Sequence, residues 1–324
     1  MSQSARRRSG DRALTALGAT ISIAALAAIV VWALQQEPPS LPQSPARLAE
    51  LAAAVGFYLA ACGARAERWY ELLRDNGASP RRADAYALLA VAYAGNNLLP
   101  ARAGDALRVV LVTPRARTDA RTAIGTVVAE RVLDVVVLVG LFVVLAYGVL
   151  GGVDVPGAGR LLAAAVLVAG VAALAAGAAL VLQRRGHLGR VIAFLAPMAE
   201  ATRRLRGRHG GRLLAWTLLV WALEWVGWWL TAQAAGVGLG LLDVGYLLGL
   251  ASIFVLIPSG PGFAGTFDAA IVLGVRALGR SGAQALSYLL ALRFVVTVPI
   301  TLLGLVLLVA RYGRLGRIRR MARA

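Results

Sequence analysis

The sequence predicts an all-α polytopic membrane protein with about six spanning helices and two broken helical segments of opposite orientation. Three observations predict it. Of 324 residues, 59% are hydrophobic and only 15% charged, and the mean hydropathy is +0.71; soluble domains carry about a quarter charged residues. The apolar residues fall in runs of roughly 20, the length that crosses the hydrocarbon core of a bilayer. All 34 basic residues are arginine, and they cluster between those runs. This excludes a soluble enzyme, a disordered chain and a conventional nucleic-acid-binding domain. The net charge of +18 would suit a polyanion if spread evenly; clustered, it is a topology signal. The missing lysine, beside abundant Ala, Gly and Arg, reflects biased composition more than chemistry.

Six stretches are read as spans: 13–34, 47–64, 122–150, 160–182, 212–236 and 283–310. The first follows Arg6, Arg7, Arg8 and Arg12 and so resembles a signal peptide. Its apolar run is long for one, and Gln35-Gln36-Glu37-Pro38-Pro39 makes a poor cleavage site, so an uncleaved helix is expected. Arginine gives the sidedness. Residues 1–12 hold four, 65–82 five, 115–121 three, 184–212 eight and 311–323 six, which is 26 of the 34. The connections at 35–47, 151–160, 237–243 and 276–282 hold only Arg47, Arg160, Arg276 and Arg280. The positive-inside rule then places both termini in the cytoplasm, as for a multi-pass protein of a bacterial-type inner membrane. Within the basic stretch 184–212, the segment 187–208 carries Leu188, Val191, Ile192, Phe194 and Leu195 among its arginines. It is expected to lie along the inner surface against anionic lipid. Residues 1–324 are read as one integral membrane domain.

Two apolar regions do not fit a simple crossing. Region 83–112 is interrupted around Asn97, Pro100 and Gly104, and region 244–279 around Pro258 and Pro261. The first has arginine clusters at both ends, so it enters and leaves on the cytoplasmic side; the second has arginine-poor ends and does so on the outer side. Each is read as a re-entrant helical hairpin, because irregular backbone survives at membrane depth only when protein or a wet cavity shields it. The breaks share Leu, an aliphatic residue and Pro, then Gly, then Asp-Ala. Paired broken segments of opposite topology are the signature of an inverted repeat; a chance match of so short a pattern stands beside that reading.

Charge at membrane depth costs about 2.5–3.5 kcal/mol per residue, so each such residue needs a reason. Arg102, Asp105 and Arg108 lie three apart. Either Asp105 opens a helix and pairs locally with Arg108, or the arginines grip a lipid phosphate, which suits the planar guanidinium. Glu130, Arg131 and Asp134 share a helix face. They form a structural ion cluster, or supply a proton-coupling carboxylate or a partner for the first hairpin. Two prolines and the glycines Gly260, Gly262 and Gly265 break the second hairpin. A helix starting at Thr266 would then aim free amides at an anion, with Asp268 in its first turn; a surface loop is the plainer alternative. Glu224 sits among Trp216, Trp221, Trp225, Trp228 and Trp229, an aromatic belt or a lipid groove headed by Glu224. Arg293 needs a partner, either Asp268 or Glu224. One cysteine, Cys62, and two histidines, His187 and His209, in a basic stretch leave no metal site to expect, and no cofactor.

These residues resemble those of the lysylphosphatidylglycerol synthase transmembrane-region family, the flippase-like domain proteins. Asn96 to Val112, NNLLPARAGDALRVVLV, is similar to the family's Leu-Pro-x-Arg-x-Gly-acidic-x-x-Arg motif. TVVAERVLDVVVL at 126–138 is similar to its Glu-Arg-x-x-Asp motif, and IPSGPGFAGTFDAAIV at 257–272 to its Pro-x-x-Pro-Gly-x-x-Gly-x-x-acidic pattern. Arg293 falls where the family has an arginine in its last span. Asp105 and Asp268 stand where many members carry Glu, one methylene longer. The resemblance implies a protein that moves a lipid between leaflets. Some relatives add a soluble synthase domain; this chain ends 14 residues after Ala310, so none is expected here.

The expected function is therefore translocation of a lipid with a polar, phosphate-bearing headgroup. Arg102, Asp105, Arg108, Gly262, Gly265 and Thr266 would contact the headgroup. Glu130, Arg131, Asp134, Glu224, Asp268 and Arg293 would serve coupling or intramembrane ion pairing. No Gly-x-x-x-x-Gly-Lys-Ser/Thr motif is present, so ATP is not the expected energy source. The alternative is a non-transporting partner or regulator of a lipid-synthesising enzyme, docking through 184–212. A lipid-modifying enzyme is a weaker third reading, for want of a nucleophile–base pair.

Overall fold

The structure is a computed structural model, and it describes residues 30–40, 42–99, 103–150, 208–255 and 260–312. The expected span 160–182, most of the first span, most of the basic stretch 184–212, and the break residues Pro100, Arg102 and Pro258 lie outside these. All regular structure among the described residues is helical: α1 Pro45–Asp75, α2 Arg82–Leu98, α3 Ala103–Arg115, α4 Ala120–Leu150, α5 Arg208–Ala234, α6 Leu241–Phe254, a 3-10 turn Pro261–Phe263, α7 Thr266–Ala277 and α8 Gly282–Tyr312.

Local chemistry sets most of these boundaries. Ser44 caps α1, its hydroxyl accepting from the Arg47 amide at 3.3 Å, with Pro45 at the first helical position, where its missing N–H costs nothing. α1 ends in a Schellman motif at left-handed Gly77: Ala78 donates to Leu73 O and Gly77 to Arg74 O, both at 3.0 Å. Gly236 and Gly279 end α5 and α7 in the same way. Leu99 is extended, with φ −110° and ψ 147°, as the residue before a proline must be, and this stops α2.

α1, α5 and α8 are long and apolar enough to cross a membrane. α8 presents Leu302, Val306 and Val309 outward, a row of apolar side chains too extensive for a surface in water. α1 packs along α5, where Gly227 lets the helix axes approach beside Ala54 and Phe57. The sequence placed α1 at 47–64 and treated 65–82 as an arginine-rich connection. The helix instead continues to Asp75, because Arg65 and Arg68 are not solvated: both are buried against carboxylates.

The two broken regions each form a pair of helices with adjoining ends. Ser79, just before α2, donates to Ala116 O, just after α3, at 2.8 Å. Arg280, just after α7, donates to Gly238 O, just before α6, at 2.7 Å. Within the first pair, a Cβ on Gly95 would lie 2.7 Å from the Cα of Gly104, and a Cβ on Gly104 would overlap the Ala92 carbonyl. Only glycine permits that crossing. In the second pair, Gly274 lies against Leu247 and Leu250.

α8 spans the distance between the two bases. Near its start, Ser287 accepts from the Ser40 amide at 2.9 Å, and the Ser40 hydroxyl donates to Ala235 O near the base of the α6–α7 pair. At its other end, Arg311 donates to Ala83 O at the base of the α2–α3 pair. The two pairs therefore approach one another from opposite ends of α8. One apolar core, with Leu247, Ile271, Tyr288 and Leu292, surrounds the α6–α7 pair. A second, with Trp69, Leu88, Leu111 and Val112, surrounds the α2–α3 pair.

Candidate functional site

The broken ends meet beside the middle of α8. Arg293 donates from Nε to Asp268 Oδ1 at 2.6 Å and from Nη1 to Gly262 O at 2.6 Å. Its Nη2 reaches Phe263 O at 3.4 Å, and the guanidinium stacks 4.7 Å over the Phe267 ring. Asp268 in turn accepts from the Gly265 amide at 2.8 Å, so the carboxylate binds both the helix start and Arg293. This holds a costly backbone: Phe263 has φ 56°, a conformation that costs a bulky residue about 1–3 kcal/mol. Gly262 and Gly265 also have positive φ. A Cβ on Gly262 would stand 3.5 Å from Asn97 O, so the 3-10 turn touches the end of α2. Asn97 donates to Thr301 of α8 at 2.8 Å, and Asn96 Oδ1 accepts from the Asp105 amide at 3.2 Å, capping α3.

A second centre lies where α1, α3 and α4 meet. Arg68, only 1% exposed, binds Asp134 through Nη1 at 2.7 Å and Nη2 at 3.3 Å, and Thr217 at 2.9 Å. It also lies 3.6 Å from Glu130. Arg108, 2% exposed, donates to Glu130 Oε2 at 2.8 Å. Its guanidinium lies 4.7 Å from the ring centre of Trp69, whose indole donates to Thr126 at 3.0 Å. Asp105 is bridged by two cations: Arg108 Nε at 3.5 Å and Arg131 Nη2 at 3.1 Å. Arg131 is half exposed and reaches Asp134 at 3.9 Å. Arg108 Nε and Nη1 and Arg68 Nε are buried without a hydrogen-bond acceptor, which costs roughly 1–3 kcal/mol for each such group.

Arg65 and Glu224 make a third pair at 2.8 Å, with the Arg65 guanidinium 5.3 Å from the Trp221 ring. Two tryptophans of α5 make contacts within the protein. Trp228 meets Phe267 edge-on at 5.9 Å, and Trp225 donates to Leu241 O at 2.7 Å.

The sequence-predicted residues thus fall into two centres. Asp105, Arg108, Glu130, Arg131 and Asp134 come together, as do Gly262, Gly265, Asp268 and Arg293; Thr266 is buried at the start of α7. Glu224 joins neither centre. Arg108 lies near Asp105, the local pairing offered for it, and also takes Glu130, one of the carboxylates offered as a partner for the first hairpin. Arg293 takes Asp268 rather than Glu224. Pro261 opens the 3-10 turn, and Gly104 sits at the α2–α3 crossing. Arg65, Arg68, Thr217 and Thr301 were not foreseen. The signal for the first two was present: Ala61, Arg65, Arg68, Trp69 and Leu72 continue the helical spacing of α1, and all five are buried.

An all-helical arrangement with helices long and apolar enough to cross a bilayer and ion pairs buried between them fits a polytopic membrane protein. The chain belongs to the lysylphosphatidylglycerol synthase TM region family, whose model matches residues 16–304. It is also similar to the glycosyltransferase AglD of Haloferax volcanii, with 29% identity over 151 residues. That match covers 46% of this chain and 24% of the relative, so the chain spans about a quarter of that protein's length. No solved structure matches the chain.

Proposed function

We propose that the protein translocates a lipid with a polar, phosphate-bearing headgroup between the leaflets of an inner membrane. In this reading about six helices span the bilayer, both termini are cytoplasmic, and the α2–α3 and α6–α7 pairs are re-entrant hairpins related as an inverted repeat. The observation that carries it is the contact of the two broken ends beside Arg293. Irregular backbone and charge meet there at the middle of an apolar helix, an arrangement that survives at membrane depth only where protein or a polar cavity shields it. The headgroup moves between the hairpin tips, with Arg102 and Arg108 on one side and the 262–266 backbone on the other. Its acyl chains remain against apolar faces such as that of α8. Glu130, Asp134 or Asp268 couples the step to protons. Anionic lipid binds the basic stretch 184–212.

Reconstitution tests the proposal. Liposomes holding the protein should move at least one fluorescent phospholipid faster than empty liposomes, and the double variant Arg102→Ala/Arg108→Ala should not. If the wild type moves every labelled lipid at the empty-liposome rate, translocation is wrong.

A second reading makes the protein a non-transporting partner of a lipid-synthesising enzyme. It draws on the match to a protein named a glycosyltransferase, of which this chain covers only a part. Replacing the arginines of 184–212 with glutamine should then abolish capture of the enzyme and leave any lipid movement intact.

A further inference from the structure

Asp105 occupies a position that a phosphate would fill. It stands between two guanidinium groups, Arg108 at 3.5 Å and Arg131 at 3.1 Å, and two cations converging on one anion are the usual arrangement for phosphate recognition. The two cations differ. Arg108 is fully enclosed and spends Nη2 on Glu130, while Nε and Nη1 have no hydrogen-bond acceptor. Arg131 is half exposed. An enclosed arginine whose Nη1 has no acceptor and whose Nε only approaches Asp105, beside a half-exposed arginine, is a seat for an anionic oxygen group.

We propose that Asp105 is the resident counter-ion of an anion seat formed by Arg108 and Arg131, and that a phosphate group binds by taking over its ion pairs. The lipid-translocation reading above supplies only the source of that phosphate. Charge bookkeeping favours exchange over addition. Among the described residues, Arg68, Arg108 and Arg131 balance Asp105, Glu130 and Asp134, so a phosphate added beside an ionised Asp105 leaves these six groups net negative. Glu130 and Asp134 are poorly placed to yield, since each is buried against Arg68 as well. Asp105 is the more exposed carboxylate, at 20% against 4% and 9%. The backbone of Asp105 is pinned, because its amide is capped by Asn96 and the neighbouring Gly104 abuts Ala92. The exchange is therefore a rotation of the Asp105 side chain and of Arg131, with α3 staying in place.

The full chain in phosphatidylcholine nanodiscs is titrated, by phosphorus NMR, with inorganic phosphate and with a short-chain phosphatidylglycerol. Asp105→Asn removes the competing charge and should tighten binding by roughly tenfold, whereas Arg131→Gln should weaken it by at least about tenfold. Tightening for both probes identifies a seat for phosphate in general; tightening for the lipid alone identifies a headgroup seat. The proposal is overturned if Asp105→Asn leaves both affinities unchanged or lowers them. Should Asp105→Asn fail to fold, the half-exposed Arg131→Gln decides alone, and unchanged affinity overturns the proposal. Binding that behaves as predicted in a chain that moves no lipid would end the translocation reading and leave the seat intact.

Discussion

Arg293 and Thr301 lie eight residues, about two helical turns, apart on α8, one on each side of its midpoint, and each secures a different broken end. Arg293 holds Gly262, Phe263 and Asp268 of the second break, and Thr301 holds Asn97 of the first. A single helix thus fixes the distance between the two tips. Pro299, between the two residues, removes one helical hydrogen bond at the place where any change in that distance would need the helix to bend.

Removing one partner of the Arg293–Asp268 pair strands the other in a buried setting. Arg293→Ala or Asp268→Ala should each destabilise the protein by roughly 3–5 kcal/mol. Arg293→Ala should cost more, because the carbonyls of Gly262 and Phe263 lose their donor as well. The double variant Arg293→Met/Asp268→Leu should cost less than the two single changes summed. Thermal unfolding in detergent measures all four.

Arg68 should not tolerate lysine. Its Nη1 and Nη2 reach the two oxygens of Asp134, and Nη1 also reaches Thr217; a lysine ammonium cannot reproduce that planar fork. Arg68→Lys should lose roughly 1.5–3 kcal/mol, the worth of one hydrogen bond to a charged group. The same melting assay should place it between wild type and Arg68→Met, which leaves Glu130 and Asp134 without that cation.

Gly104→Ala places a methyl group against the Ala92 carbonyl and should cost about 1–3 kcal/mol while driving α2 and α3 apart. Gly56, whose Cβ position has nothing within 4 Å, is the control, and Gly56→Ala should melt at or slightly above wild type, because alanine is the better helix former. Equal melting temperatures for the two variants would contradict the crossing.

Much of this was legible in the residues. The ends of α4, α5 and α8 fall within four residues of the apolar runs that predicted them, because a bilayer imposes length and composition directly. Both breaks were marked by proline and glycine, which act locally. What could not be read was pairing. Arg65 and Arg68 look like every other arginine in the 65–82 cluster, and only the carboxylates of α4 and α5, more than 60 residues away, reveal them as interior. The same holds for Asp268, whose choice of Arg293 depends on how α7 and α8 pack.

Asp119 offers a pH test outside the membrane. It caps α4, accepting from the Arg121 and Thr122 amides at 2.8 and 3.0 Å and from the Thr122 hydroxyl at 2.6 Å. The Thr122 hydroxyl and amide hold its carboxyl below the usual carboxylate range. A lowered folded-state pKa means the cap's contribution is complete above the unfolded value of about 3.9 and is lost as the pH falls through the lower folded one. Amide exchange at 121–124 should therefore be slow at neutral pH and faster for Asp119→Ala by about two- to thirtyfold, since an N-cap contributes about 0.5–2 kcal/mol.

Topology is the remaining test, and Arg65 and Arg68 sharpen it. With both buried, the orientation of the α1–α2 connection rests on Arg74, Arg81 and Arg82, still against the sparse arginines of the opposite ends. Ser79→Cys and Ala120→Cys flank the base of the α2–α3 pair, and Glu37→Cys and Leu242→Cys lie toward the base of the α6–α7 pair; all four side chains are exposed. In a Cys62→Ala background, a membrane-impermeant maleimide applied to intact cells should label the second two and not the first two. Permeabilised cells should label all four. Labelling of Ser79→Cys without Ala120→Cys, or the reverse, would make the α2–α3 pair a full crossing, in conflict with the 2.8 Å bond that joins Ser79 to Ala116 at its base.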